Sequence, residues 1–228
     1  MGTQLNASIL DSFQVLQEIM GSTSPLGSRE LSRRLNMEHT RANRLLKTLT
    51  LTGMVCQTVD RKYAPGASVH ILAAQSLHAS GLLRNSLPFI RELKDDLTTV
   101  ALGVLWKMQV AYLLHARPWQ SVDETLGSHE LVPVEISSLG IALLAVQDDV
   151  DWSAVPESIH REVRESRKNG YATLRFPNGA VSIAVAVGDP VLGALGISRK
   201  SMSESECRDF AAKALDIGAR ITERISSE

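Results

Sequence analysis

Apolar residues in the first third of the chain recur at intervals of three and four. From Ser8 onward, Ile9, Leu10, Phe13, Leu16, Ile19 and Met20 share one face at helical spacing, with Ser8 and Asp11 placed as a capping box. The stretch 21–25 (GSTSP) reads as a turn. A short second helix follows over 29–35, behind Gly27 or Ser28 as N-cap and with Leu31 and Leu35 inward. Asn36 then stands where a tight interhelix turn needs the left-handed backbone that Asn tolerates best among non-glycine residues. A third helix is predicted over 39–53, with Ala42, Leu45, Leu46 and Leu49 on its core side. Alternation over 54–59, the turn Asp60-Arg61 and the run 62–64 before Pro65-Gly66 predict a β-hairpin.

Val69, Leu72, Ala73 and Leu77 predict a helix over 67–80, read as an interdomain linker, and another helix runs over 88–97 with Pro88 in its first turn. The pattern then changes. Segments 99–105 and 109–115 read as paired strands with Trp106 in the turn between them, and 134–146 and 159–168 as helices. Strands over 180–187 and 192–198 and a terminal helix over 204–225 complete the chain. Interleaved strands and helices predict an α/β class, α+β overall, with an amino-terminal domain at 1–66, a linker at 67–87 and a second domain at 88–228.

With 228 residues, 44% of them hydrophobic, the chain can bury two modest cores. Its 24 Lys and Arg nearly balance its 25 Asp and Glu, so no global charge points to a polyanion. The balance is uneven along the chain. Arg29, Arg33, Arg34, Arg41, Arg44, Lys47, Arg61 and Lys62 face only Glu30, Glu38 and Asp60 in the same stretch, the footprint of a nucleic-acid module on a neutral carrier. Cys56 and Cys207 form no CxxC and have no adjacent His pair, so no metal site, disulfide or cofactor is expected. The absence of a leader pattern or a bilayer-length apolar run predicts a cytoplasmic protein with no membrane partner.

On the third helix, Thr40, Arg44 and Lys47 lie opposite the apolar side, flanked by Arg41 and Asn43, while Arg61 and Lys62 stand at the hairpin tip. A basic helix face alone is ordinarily a solvated surface. Here it coincides with the Asn36 turn, the capped helices and the hairpin, which together predict a winged helix-turn-helix reading double-stranded DNA.

Over nearly its whole length the sequence resembles the IclR family of bacterial transcription regulators. ELSRRLNMEHTRANRLLKTLTLTGMV is similar to the family's helix-turn-helix stretch, and RKYAPG to its wing-closing YxLG. LPFIRELKDDLTTVALGVLW, GSHELVPVEISSLGIALLA, NGYA, GAVSIAVAV and VLGALGIS resemble successive parts of its effector domain. The resemblance implies a homodimer, or a dimer of dimers, on a palindromic operator, modulated by a small-molecule effector. It places Glu135, Ser137, Ser138, Ser182 and Ser198 in the effector pocket. The family's common His, Lys and Cys are here Glu135, Ile141 and Ser182, Gly196 replaces a common Ser, and the stretch between Ala145 and Gly170 is shorter than usual.

These pocket positions hold one carboxylate and several hydroxyls but no cation, with Arg175 the one basic residue near them. A neutral polyol, sugar-like or cationic effector is therefore expected, the alternative being an effectorless, shortened sensing domain. The same serines have a plainer reading, Ser137 and Ser138 opening a helix and Ser182 filling a strand. A hydrolase built on Ser182 or Ser198 with His115 or His129 would lack the G-x-S-x-G elbow, so no enzyme is expected. An adaptor binding protein partners through the winged helix would not need Thr40, Arg44 and Lys47 aligned.

Overall fold

The structure, a computed structural model, describes residues 5–127 and 130–227. The chain divides into two units, Met1–Leu77 and His78–Glu228. The first unit begins with α1 (Ala7–Met20), α2 (Ser28–Arg34) and α3 (His39–Leu51). The wing strands β1 (Val55–Gln57) and β2 (Tyr63–Pro65) follow, and then α4 (Ala67–Ser80). Asn6 caps α1, not Ser8. Its extended backbone lets its side-chain oxygen accept from the Ser8 and Ile9 amides at 3.1 and 3.3 Å, whereas Ser8 is already helical. Asn36 adopts φ 47, the left-handed turn its identity suggested.

Val15, Ile19, Leu26, Leu31, Leu46, Leu49 and Val55 pack into one core with Tyr63. A two-way bridge between Leu26 and Tyr63, with N–H to O distances of 3.0 and 2.8 Å, joins the start of α2 to the wing. The expectation that Ile9, Leu10 and Phe13 face this core is not met, since all three are exposed. α1 turns only Val15 and Ile19 fully inward, and α4 buries none of its side chains.

The second unit contains α5 (Leu82–Leu93), β3 (Thr98–Trp106), β4 (Gln109–Ala116), β5 (Leu131–Pro133), α6 (Ser138–Ala145) and α7 (His160–Asn169). It ends with β6 (Ala172–Arg175), β7 (Ala180–Val187), β8 (Gly193–Lys200) and α8 (Glu204–Ser226). α5 starts well before Pro88, from a left-handed Gly81, and ends sooner than expected. The proline removes one helical N–H, and burial of Leu82, Ile90 and Leu93 holds the helix regardless. Trp106 closes β3, and Lys107, at φ 55, makes the turn with its ammonium 4.7 Å from the indole centroid.

The strands of this unit, β3 to β8, pair antiparallel in the order β5-β4-β3-β8-β7-β6. Strand alternation splits the side chains between two faces. Val100, Leu102, Val181, Ile183, Val185, Leu195 and Ile197 form one face with α5 and α8. Ala101, Ala184 and Ala194 form the other with α6 and α7. Small residues on that second face leave room beside α6. Among the described residues no helix is long and apolar enough to cross a membrane, and no group of His, Cys, Asp or Glu could hold a metal ion.

Candidate nucleic-acid interface and ligand cavity

On α3, Ala42, Leu45, Leu46 and Leu49 are buried and Thr40, Arg44 and Lys47 are exposed on the opposite side, the division its periodicity dictates. Asn43 is half-buried. Its Nδ2 lies 3.2 Å from His39 Nε2, which itself lies 3.1 Å from Ser28 Oγ, so a polar chain joins the starts of α2 and α3. Arg41 does not stand free with its neighbours, because its guanidinium pairs with Asp11 of α1. Arg34 is likewise held by Glu30 and Glu18, whereas Arg44 and Lys47 take part in no ion pair among the described residues.

The wing tip is built by Thr58. Its hydroxyl donates to Asp60 Oδ1 at 2.6 Å and accepts from the Lys62 amide at 3.1 Å. That hydrogen bond, chiefly, holds the Asp60 carboxyl below the usual carboxylate range, and Lys62 pairs with it at 3.4 Å. Asp60 and Lys62 therefore largely cancel. Arg61, exposed and at φ 60, is the net cation of the tip.

In the second unit a cavity of about 460 Å³ opens on the sheet face that carries α6. Thr99, Ala101, Ala180, Ser182, Gly196 and Ser198 are its floor, and their small side chains are the reason it exists. Leu139, in the first turn of α6, roofs Gly196 so closely that a Cβ there would lie 2.3 Å from its Cδ1. Tyr112, Phe176 and Trp119 add aromatic walls, and Trp119 is 77% exposed.

Of the five expected pocket residues, Ser182 and Ser198 line the cavity and sit directly opposite each other on β7 and β8. Ser138 lies behind the wall, its hydroxyl 2.7 Å from that of Ser182. Ser137 is the N-cap of α6, accepting from the Gly140 amide at 3.3 Å, and its oxygen is 3.1 Å from the Tyr112 hydroxyl. Burial pushes the Tyr112 phenol up, while the Ser137 contact pulls it the other way. Glu135 is outside the lining, on the short 3-10 turn Val134–Ile136.

The expectation of a cavity without cations fails. Arg117, Arg199 and Lys200 line it, beside the His115 ring, whereas Arg175 lies outside and pairs with Glu204 at 3.6 Å. Glu130 reaches His115 Nδ1 at 3.0 Å and Arg117 at 3.6 Å. Arg199 pairs with Asp95, donates to Thr98 Oγ1 at 2.8 Å and lies 4.7 Å over the Phe210 ring. Burial raises the Asp95 carboxyl, but Thr98, the Leu97 amide and Arg199 outweigh it and hold the group below its ordinary value. A period of two was the signal for the missed residues, since Lys200 follows Ser198, and Arg117 follows His115, at the spacing that shares one strand face. His129 lies outside the described residues. Among those described, neither Ser182 nor Ser198 is hydrogen-bonded to a histidine.

No protein-family model matches the sequence, and neither does any curated protein. Solved structures do match. A protein from Silicibacter described as an IclR transcriptional regulator is 26% identical, with a TM-score of 0.78 and 96% of each chain covered. An IclR family transcriptional regulator from Brucella abortus gives a TM-score of 0.76 at 17% identity, covering 97% of this chain and 93% of its own. An IclR homolog from Microbacterium hydrocarbonoxydans, complexed with 4-hydroxybenzoate, gives 0.69 at 18% identity, covering 97% of this chain and 100% of its own. At 17 and 18% identity the likeness is one of fold. The resemblance read from the sequence is borne out in this sense: the chain has the IclR-type regulator fold over nearly its whole length.

Proposed function

We propose that the chain is an IclR-type transcription regulator that docks α3 in the major groove of double-stranded DNA as a homodimer and takes a small-molecule effector into the cavity of its second unit. The observation that carries the DNA reading is the unneutralised outer face of α3, where Arg44 and Lys47 stand beside Thr40 and Asn43 over a fully packed inner face. In this reading Arg44, Asn43 and Thr40 address base edges, Lys47 addresses phosphate, and Arg61 at the wing tip adds sequence-independent affinity. Arg41 serves as a tie between α1 and α3 rather than as a DNA contact. Such a regulator works in the cytoplasm and needs no catalytic group.

Two further observations support the assembly and the effector. A nearly pure apolar groove of about 590 Å³ on the first unit is lined by Ile9, Phe13, Leu16, Met20, Leu72 and Ala73 among others. Together with a helix α4 that buries nothing, it suits a second copy of this chain better than water. The cavity of the second unit has the size of a metabolite site, and the Microbacterium homolog's complex with 4-hydroxybenzoate supports reading it as one. Selection of bound fragments from a random DNA pool tests the proposal. An enriched palindrome bound with steep salt dependence is expected. Recovery of no enriched sequence, together with no retention on heparin, would sink it.

A further inference from the structure

Neither α2 nor α3 has a side-chain cap, at Gly27 or at Glu38. Ser28 and His39, the first residue of each helix, reach toward one another instead, with Ser28 Oγ 3.1 Å from His39 Nε2. One turn along α3, Asn43 sets its Nδ2 3.2 Å from the same Nε2 and 3.4 Å from Nδ1. A proton on Nε2 serves both neighbours, since Nε2–H then donates to Ser28 Oγ and Nδ1 accepts from the Asn43 amide. His39 is exposed, and Ser28 and Asn43 are half-buried. Water could replace each of these contacts, so the chain of three contributes little to stability. What it fixes is the direction in which an amide on the outer side of α3 points.

An amide nitrogen carries two hydrogens. With one spent on the ring, the other stands with Oδ1 as an adjacent donor and acceptor, the pair that meets N7 and N6 of adenine in the major groove. The reversed amide would set Oδ1 against the ring nitrogen that accepts, lone pair to lone pair, so the ring bars it. Released from the ring, the amide turns either way, and with its donors outward it serves guanine N7 and O6 as well. On the DNA-binding reading above, on which this rests, we propose that His39 is a positioning residue. Seated by Ser28, it holds the Asn43 amide in the orientation that reads adenine.

The test starts from an operator selected with the full chain. Fluorescence anisotropy then follows binding to a series in which each A·T pair of a half-site is exchanged in turn for G·C. At one position the parent should prefer adenine about five- to hundredfold, the range of one bidentate pair, and Asn43→Ala should erase that preference. His39→Ala should lower the same preference about three- to tenfold by freeing the amide, with the other positions changed by under about twofold. His39→Gln, which keeps an acceptor and a donor, should restore most of it. Circular dichroism checks that each variant melts like the parent; if His39→Ala does not, Ser28→Ala, which frees the ring alone, should shift the same position in the same sense. An Asn43→Ala protein with unchanged discrimination at every position overturns the adenine assignment. Loss in His39→Ala or Ser28→Ala spread evenly over all positions, or no loss at all, overturns the positioning role and leaves the DNA reading standing. Failure to select any operator overturns the DNA reading itself.

Discussion

Ser137 performs two tasks with one hydroxyl, and a double-mutant cycle with Tyr112 separates them. Its Oγ caps α6 through the Gly140 amide and also meets the Tyr112 hydroxyl inside a buried wall. Ser137→Ala removes the cap, worth about 1 kcal/mol. It also leaves the Tyr112 hydroxyl, on a residue only 8% exposed, without its partner, which adds about 1–3 kcal/mol. Tyr112→Phe removes that hydroxyl and leaves the cap intact, so it should cost only about 1 kcal/mol. In the Tyr112→Phe background Ser137→Ala then loses the cap alone, and the coupling between the two sites should be about 1–3 kcal/mol. All three tryptophans, Trp106, Trp119 and Trp152, lie in the second unit, so urea unfolding followed by tryptophan fluorescence reports on that unit. In a thermal melt each kcal/mol corresponds to roughly 2–4 °C for a unit of this size. Equal costs of Ser137→Ala in the two backgrounds would show that the hydroxyl pair contributes nothing.

Arg44→Ala should cost about 1–3 kcal/mol at a selected operator and far less on random DNA, whereas Arg61→Ala should weaken both alike; fluorescence anisotropy on the two DNAs distinguishes them. Arg41→Ala should reduce operator affinity less than Arg44→Ala, because its charge is already spent on Asp11; an equal loss would place Arg41 on the DNA. Phe13→Asp, at an exposed position beside the apolar groove, should lower the mass seen by light scattering at micromolar protein without lowering the melting temperature of either unit. The Asp95 carboxyl is held low in the folded state, so its stabilising contribution is present above its unfolded value of about 4 and is lost as pH falls through the folded value. Asp95→Asn should therefore flatten the acid limb of the stability curve, by under about 1 kcal/mol since the side chain is half exposed; an unchanged limb would refute this.

The elements that carry strong periodicity were legible in the sequence, and those that do not were missed. α3 and α8 follow their apolar spacing, and β7 matches its predicted bounds because an alternating apolar run admits one reading. β5 and β6, at three and four residues, are too short for a period of two to stand out, and they exist because an edge of the sheet is there to pair with. Pro88 misled because a proline at a helix start is common, while here the packing of α5 tolerates it within the helix. On the outer face of α3 the exposure of Thr40, Arg44 and Lys47 follows the periodicity, but the pairing of Arg41 with Asp11 depends on how α1 crosses α3, which spacing along the chain does not encode. At the cavity, family position pointed to Ser182 and Ser198, which line it, and to Glu135, Ser137 and Ser138, which do not. The cations were missed because a strand's face is shared by residues two apart on each of several strands, and only the sheet order brings Arg117, Arg199 and Lys200 together.

The left-handed backbone of Arg61 puts the wing at a point of compromise between durability and grip. A side chain at φ 60 costs about 1–2 kcal/mol relative to an ordinary conformation, and glycine would escape most of it. Arg61→Gly should thus make the first unit harder to unfold while removing the one uncompensated cation of the tip. A screen for thermostable variants would enrich such a substitution, and a screen for operator binding would discard it. In the proposed reading, the arginine exchanges this increment of stability for a cation at the wing tip.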